Sequence, residues 1–284
     1  MIKTDSLTPL QYSVIINKST EAPFTGEYTD NTIDGTYLCR NCGLALFEAN
    51  NKFHSGCGWP SFDLELENTI KRIPDIDGRR TEILCNRCNA HLGHVFHGEN
   101  LTTKNTRYCV NSVALDFVAV GNVVDTEEII LAGGCFWGIE YYLQKLPSVL
   151  LTQVGYCGGI KSNPSYKEVC SHNTNHLEVV RVIFDPTKIN LTNLLKYFFE
   201  IHDPTQTNGQ GLDVGNQYLS AVFCYNLEQQ TIAKQVITLL TSNGYTVATT
   251  VRESSPFWIA EEYHRNYYLN NNNTPYCHKY TKRF

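Results

Sequence analysis

Up to about residue 120, hydrophobic positions fall in short runs of strand type: Thr36–Cys39, Arg80–Leu84, Leu92–Phe96 and Ala114–Val120. Gly, Asn, Asp and Pro separate them, as turns between strands require. The stretch Glu65 to Ile76 fits strand or loop equally, and no long amphipathic helix stands out. Beyond it the texture changes to alternating strands and helices. Strands are predicted over Glu128–Leu131, Val149–Tyr156, Leu177–Phe184, Tyr218–Tyr225 and near Thr246–Val251. Helices are predicted over Phe136–Leu146 (stopped by Pro147), Leu191–Ile201 (capped by Asn190), Leu227–Leu240 (capped by Asn226) and Trp258–Leu269. Such alternation implies helices layered on a sheet. The pattern predicts a two-domain α+β protein, with a β-rich module over 1–120, a short linker over 121–127 and an α/β module over 128–284.

A length of 284 residues with 42% hydrophobic content suits two packed domains. A net charge of -5 gives no electrostatic reason to expect nucleic acid or an anionic membrane surface. No apolar run approaches the ~20 residues of a membrane-spanning helix. Met1 to Ser19 lacks the basic-then-apolar pattern of a secretory signal, so a cytoplasmic protein is expected. Eleven cysteines change the picture. In a reducing compartment they read as metal ligands, redox nucleophiles or small buried hydrophobes rather than a disulfide framework.

Cys39-Arg-Asn-Cys42 and Cys85-Asn-Arg-Cys88 repeat one ligand spacing. Each two-residue gap aims two thiolates at one ion, and the two pairs predict a closed, structural four-cysteine zinc site. Cys57 and Cys109 then remain in the first module. Arg107 lies beside Cys109, Cys57 stands in a glycine-rich segment with Trp59, and His91, His94 and His97 come between. Cysteine, histidine and an aromatic make a reasonable set for thiol chemistry on a small substrate. The same residues are compatible with histidines that cap loops and a core tryptophan.

Several segments resolve that choice. Leu7–Tyr12, Thr20–Phe24, both Cys-x-x-Cys pairs, Ser55–Phe62, His91–Phe96 and Arg107–Ser112 resemble methionine sulfoxide reductase B, in the expected order. The resemblance implies that Cys109 attacks the sulfoxide sulfur and that Cys57 resolves the resulting sulfenic acid. It implies that Trp59 holds the substrate methyl group. His91, His94, Arg107 and Asn111 would orient or protonate the oxygen, with His94 the first choice of acid.

In the second module, Gly133-Gly-Cys-Phe-Trp-Gly138 follows a predicted strand and opens a helix. A helix N-terminus lowers a thiol pKa, so Cys135 is a candidate nucleophile, although Gly-Gly could equally serve a tight turn around a buried cysteine. Glu178 alternates onto the face of Val180, Val182 and Phe184, where apolar neighbours should raise its pKa, although a strand-end glutamate that reaches water fits the same residues. Gly133–Gly138, Asn163–Ser171, His176–Val180, His202–Gln206, Asp213–Tyr218 and Ala260–His264 resemble methionine sulfoxide reductase A, from about Glu127 onward. This resemblance makes Cys135 the nucleophile and Glu178 the acid. Tyr166 and Tyr218 would bind the oxygen, Asp213 would join that network, and Phe136 and Trp137 would pack on the methyl group. Cys277, on an Asn-rich tail able to swing, is the candidate resolving thiol; Cys157, Cys170 and Cys224 are expected to be buried structural thiols. Two positions depart from the family pattern: Leu219 stands for an arginine and Asn175 for a glycine.

Together the resemblances imply a barrel-like zinc module followed by a plait-like two-layer sandwich, with no organic cofactor. They imply reduction of free or protein-bound methionine sulfoxide, R epimer first module and S epimer second, recycled by thioredoxin. A zinc-stabilised binding module would leave Cys109, Cys135 and Glu178 without roles. A thiol peroxidase would not need the aromatic pockets.

Overall fold

The computed structural model describes residues 7–75 and 78–284, so Met1–Ser6, Ile76 and Asp77 lie outside it. In chain order the elements are α1 (Pro9–Ile15), β1 (Thr36–Cys39), β2 (Ala45–Glu48), β3 (Lys52–Phe53), β4 (Ser61–Phe62), β5 (Ile70–Pro74), β6 (Thr81–Cys85), β7 (His91–His97), β8 (Thr106–Val110) and β9 (Leu115–Val118). There follow β10 (Glu127–Gly133), α2 (Phe136–Leu143), β11 (Val149–Cys157), α3 (Tyr166–Cys170), β12 (Leu177–Phe184), α4 (Leu191–Glu200), β13 (Gly209–Gln210), β14 (Asp213–Val214), β15 (Ser220–Cys224), α5 (Leu227–Ser242), β16 (Thr250–Glu253), β17 (Trp258–Ile259) and α6 (Tyr267–Asn270). Two compact units result, dividing between Thr126 and Glu127.

The first unit carries two antiparallel sheets, ordered β2-β1-β9 and β3-β4-β8-β7-β6-β5. Neither closes on itself among the described residues, so the expected barrel is two open sheets. Tyr37, Leu46, Phe47, Phe62, Ile83, Leu92 and Val110 are all buried in its core, with Phe47 stacked on Phe62 at 4.3 Å. The residues between Glu65 and Ile76 resolve into strand β5 plus its approach. Helix α1, absent from the expectation, starts at a capping box in which Thr8 and Gln11 each satisfy the other's backbone N–H, followed by Pro9. At seven residues it is too short to show a periodic stripe.

The second unit centres on a sheet ordered β16-β15-β10-β12-β11-β17. Residues of alternating parity face opposite ways. Ile129, Leu131, Val154, Val180, Val182 and Val222 pack with Phe136, Ile139, Leu195, Phe198 and Val236 of α2, α4 and α5, while Ile130, Val179, Ala221 and Phe223 face a separate cluster with Phe257. The helix expected over Trp258–Leu269 does not form as one piece. Trp258–Ile259 pair with Tyr156 and Gly155 on β11, a 3-10 turn covers Glu262–His264, and Asn266 at φ +52 breaks the backbone before α6. Strand pairing at one end and a left-handed residue near the other interrupt the helix. The expected strand near 246–251 lies slightly later, as β16, parallel to β15 across α5.

Candidate active sites

The two Cys-x-x-Cys segments fold as matching knuckles. The amide after each pair closes back on the first cysteine, Gly43 N to Cys39 O at 2.7 Å and Asn89 N to Cys85 O at 2.8 Å. Gly43 and Asn89 stand there with φ of +70° and +61°, the left-handed region those two residue types tolerate best. All four cysteines are buried, their sulfurs within 4.8 Å of one another; Cys39–Cys88 are 3.7 Å apart and Cys42–Cys85 3.6 Å. Tetrahedral zinc at 2.3 Å per thiolate requires sulfurs about 3.8 Å apart. The donor set and spacing fit that ion, and four buried thiolates so close would repel without a cation.

Strand register builds the first thiol site. On β8, Cys109 lies opposite His94 of β7 and Ser61 of β4, within side-chain reach across an antiparallel pair. Gly93 makes this approach possible: a Cβ there would fall 2.0 Å from the Cys109 carbonyl oxygen. The Cys57 and Cys109 sulfurs are 3.7 Å apart. Two thiols in such contact share a proton. Cys57 is pulled below the ordinary thiol range by hydrogen bonding from Cys109, helped by Ser55, Ser61 and the Trp59 backbone. Cys109 is pushed up by the same contact and by burial, with Arg107 opposing.

The expected neighbours take several positions. Thr20, Trp59, Arg80, Gly93, His94, Phe96, Cys109 and Asn111 line a cavity of about 120 Å³. The Trp59 indole N–H donates to Glu21 O at 3.1 Å. His94 Nε2 lies 3.1 Å from Asp75, which also binds Arg80 at 3.0 Å. His91 is buried beneath, with Nδ1 2.7 Å from Glu82; burial lowers its pKa against the pull of that carboxylate. Arg107 is clamped by Glu99 at 2.7 and 2.9 Å and lies over the Phe96 ring. Asn111 spends Oδ1 on the Glu21 amide and one N–H on Leu92 O. Asp75, Glu82 and Glu99 were missed from sequence, since an acidic residue in a turn carries no local mark of its partner.

The second thiol stands where β10 meets α2. Cys135 is the N-cap of the helix, and the first helical amide, Phe136 N, donates to Glu178 at 3.1 Å. Contrary to the expected lowering, the Cys135 thiol is held above its ordinary range. Its contact with Cys277 and burial outweigh the Trp137 amide. Glu178 is 2% exposed on β12. Burial, then the nearby Cys135 and Asp213, raise its pKa well above a carboxylate's usual value, which favours the acid form. Burial raises the Tyr218 phenol too, and the nearby Glu178 and Cys135 add to it.

Cys277 does reach Cys135, but on a tail tied at several points rather than free to swing. Tyr276 donates to Asp213 at 3.0 Å, Tyr280 to Glu200 at 2.9 Å, and Thr281 N to Glu200 O at 2.6 Å. Phe136 is buried among Tyr156 and His264, while Trp137 stacks on Tyr267 at 3.6 Å and donates to His264 at 3.1 Å. Glu261, unpredicted, receives Tyr156 OH and Tyr166 N, both at 2.8 Å. Cys157 and Cys224 are buried as expected; Cys170 is partly exposed and bonded to Tyr166. Leu219 packs beside Phe223, and Asn175 adopts φ +58°, a conformation that suits asparagine as it does glycine.

Comparison with known proteins places both units. Residues 127–284 match the peptide methionine sulfoxide reductase family and residues 7–119 match the SelR domain. Peptide methionine sulfoxide reductase MsrA of Deinococcus radiodurans is 46% identical over 154 residues, 53% of this chain and 75% of that protein. The corresponding protein of Trichodesmium erythraeum is 45% identical over 154 residues, 53% of this chain and 87% of that protein. The crystal structure of Mxr1 from Saccharomyces cerevisiae in reduced form aligns at 34% identity with a TM-score of 0.52, covering 55% of this chain and 92% of that one. No helix among the described residues is long and apolar enough to cross a membrane. The chain therefore belongs to the peptide methionine sulfoxide reductases, oxidoreductases acting on methionine sulfoxide, with a B-type module ahead of an A-type module in one polypeptide.

Proposed function

We propose that each module reduces one epimer of methionine sulfoxide through its own thiol pair, the first acting on R and the second on S. The reading is carried by the pairing of sulfurs: Cys57 with Cys109 at 3.7 Å, and Cys135 in contact with Cys277. In each module a proton donor protonates the sulfoxide oxygen, which makes its sulfur electrophilic. The thiolate attacks, methionine leaves, and cysteine sulfenic acid remains. The second thiol then condenses with it to a disulfide.

In the second module Glu178 holds the proton, its burial keeping the acid form available near neutral pH. The thiolate of Cys135 forms as substrate displaces the contact with Cys277, with the Trp137 amide favouring the charge. In the first, His94 is the acid, held by Asp75. The proton on Cys109 must first pass to Cys57 or the histidine pair, because the resting thiol pair favours Cys57 as thiolate. Trp59 and Phe96 form the apolar wall for the methyl group in the first module, and Phe136 and Trp137 in the second. Tyr166, Tyr218 and Asp213 complete the polar side of the second site. His91, Arg107 and Asn111 set the backbone and charge around the first.

Zinc held by Cys39, Cys42, Cys85 and Cys88 would be structural, because four protein ligands would leave no open position for substrate. Thioredoxin, a cytoplasmic dithiol, restores both pairs by exchange. The test is consumption of separated epimers with dithiothreitol by the unmodified chain, Cys109→Ser and Cys135→Ser. Each substitution should remove activity on one epimer only. Activity on both epimers in either variant would refute the assignment.

A further inference from the structure

His278 is 3% exposed and wedged against the start of α2. Its Nε2 lies 2.8 Å from the carbonyl oxygen of Gly133. A carbonyl only accepts, so Nε2 carries the proton and Nδ1 of the neutral ring is a lone pair. Cys277 Sγ lies 3.0 Å from that lone pair. The thiol therefore donates its proton toward the imidazole.

We propose that His278 is the general base that deprotonates Cys277 in the resolving step of the second module. This rests on Cys135 as nucleophile and Cys277 as resolver. Two further observations support it. Burial holds the ring pKa down at about 4, against the Gly133 contact and Asp213, so the ring rests neutral and holds the thiol proton only in passing. The ionisable groups around the ring are Cys277, Asp213 and His202.

The helix start is also hollowed for this ring. A Cβ at Gly138 would fall 2.2 Å from His278 Nδ1, and one at Gly134, where φ is +97°, would meet Gln210 at 2.3 Å and the ring at 3.4 Å. Gly-Gly-Cys-Phe-Trp-Gly thus does more than turn the chain. It seats a base against the same turn that presents the nucleophile. Finally, the Cys277 thiol lies near enough to Cys135 to raise its pKa, so proton acceptor, attacking sulfur and target are gathered at one place.

The step balances within the site. After methionine leaves, Cys135 is a sulfenic acid. The Cys277 sulfur attacks the Cys135 sulfur, an S–S bond forms and the S–O bond breaks. The S–H proton passes to His278 Nδ1 and from there to the departing hydroxide, which leaves as water. The Cys135 sulfur is reduced as the Cys277 sulfur is oxidised, and no outside oxidant is needed.

The experiment uses full-length His278→Gln, which can still donate to Gly133, and His278→Asn, which can still accept from Cys277. Neither supplies a base. Single turnovers on S-methionine sulfoxide without reductant separate methionine release from disulfide formation, the latter read by dimedone trapping and free-thiol loss. Methionine release should persist, while disulfide formation slows by about 100-fold and trappable sulfenic acid accumulates, as it should in Cys277→Ser. Disulfide formation at the unmodified rate in both variants would overturn the proposal and leave His278 a packing residue. If both variants lose methionine release, the unmodified chain decides. Disulfide formation slower in D2O supports a base in the step, whereas an equal or faster rate overturns it. Methionine release by Cys135→Ser, or no trapping in Cys277→Ser, would instead sink the underlying thiol assignments.

Discussion

Cys109 is set between His94 and Ser61 by the register of three antiparallel strands, whereas Cys135 stands at a helix start and meets a thiol carried by the last turn of the chain before its terminus. On the proposed reading the first arrangement would draw its proton chemistry from a histidine pair fixed by carboxylates, His94 by Asp75 and His91 by Glu82. The second would use a single buried carboxylic acid, Glu178. Sheet register positions a side chain to within a fraction of a residue step, since a one-residue slip would turn Cys109 to the opposite face. A helix start offers less choice of neighbours but supplies amide N–H groups, one of which Glu178 already occupies. One reaction type can thus be built from two unrelated local physics.

The contrast can be broken most forcefully at the zinc site. Cys85→Ser should strip the metal and unfold the first module, because binding energy for such sites is folding energy. Zinc content and R-epimer activity should both vanish while S-epimer activity persists; survival of R activity without metal would deny the site its structural role. Next in size, Glu178→Gln should lower S-epimer turnover by about 100- to 10,000-fold and spare the R epimer. Because the acid form is required, unmodified S turnover should fall as pH rises through the raised Glu178 pKa, and a flat alkaline limb would count against the assignment.

A smaller effect sharpens the stability side. Glu140, 2% exposed on α2, accepts from Asn266 N and Thr152, and burial raises its pKa to about 7. A raised folded pKa means that the folded state binds the extra proton. Stability should therefore be greatest below pH 4.5 as far as this group is concerned, and decline as pH rises to about 7. Glu140→Gln should flatten that decline, worth on the order of 2 kcal/mol, in denaturant titrations of the second module. Smallest, Asn175→Ala should cost about 1 kcal/mol for its left-handed backbone and Asn175→Gly almost nothing. Equal losses in the two would show that the side chain, not φ, matters.

Part of this was readable from spacing. Both Cys-x-x-Cys knuckles follow from it, whereas local features only nominated Cys109, Cys135 and Glu178 and the family resemblance supplied their roles. What escaped depends on partners far along the chain. The helix-start argument for Cys135 omitted Cys277, 142 positions away in the chain, and so had the sign of its pKa shift wrong. Asp75 acquires meaning only once β5, β6 and β7 pair and bring it to His94, and Glu99 only once β7 and β8 pair and bring it to Arg107. The helix expected over Trp258–Leu269 is replaced by a short strand at Trp258–Ile259 and a separate short helix at Tyr267–Asn270, because the start of the segment finds a pairing edge on β11. Helix α1 was invisible as a stripe and legible only as Thr8-Pro9 with Gln11.

The separation of the paired thiols along the chain carries a thermodynamic consequence. Cys57 and Cys109 are 52 positions apart, and joining them would shorten the conformational repertoire of the denatured first module by about 4 kcal/mol of loop-closure entropy; the span from Cys135 to Cys277 is longer still. Each catalytic cycle would then tighten and release a polymer constraint. The oxidised enzyme should melt at a higher temperature than the reduced one, so the state awaiting its reductant is also the state hardest to unfold.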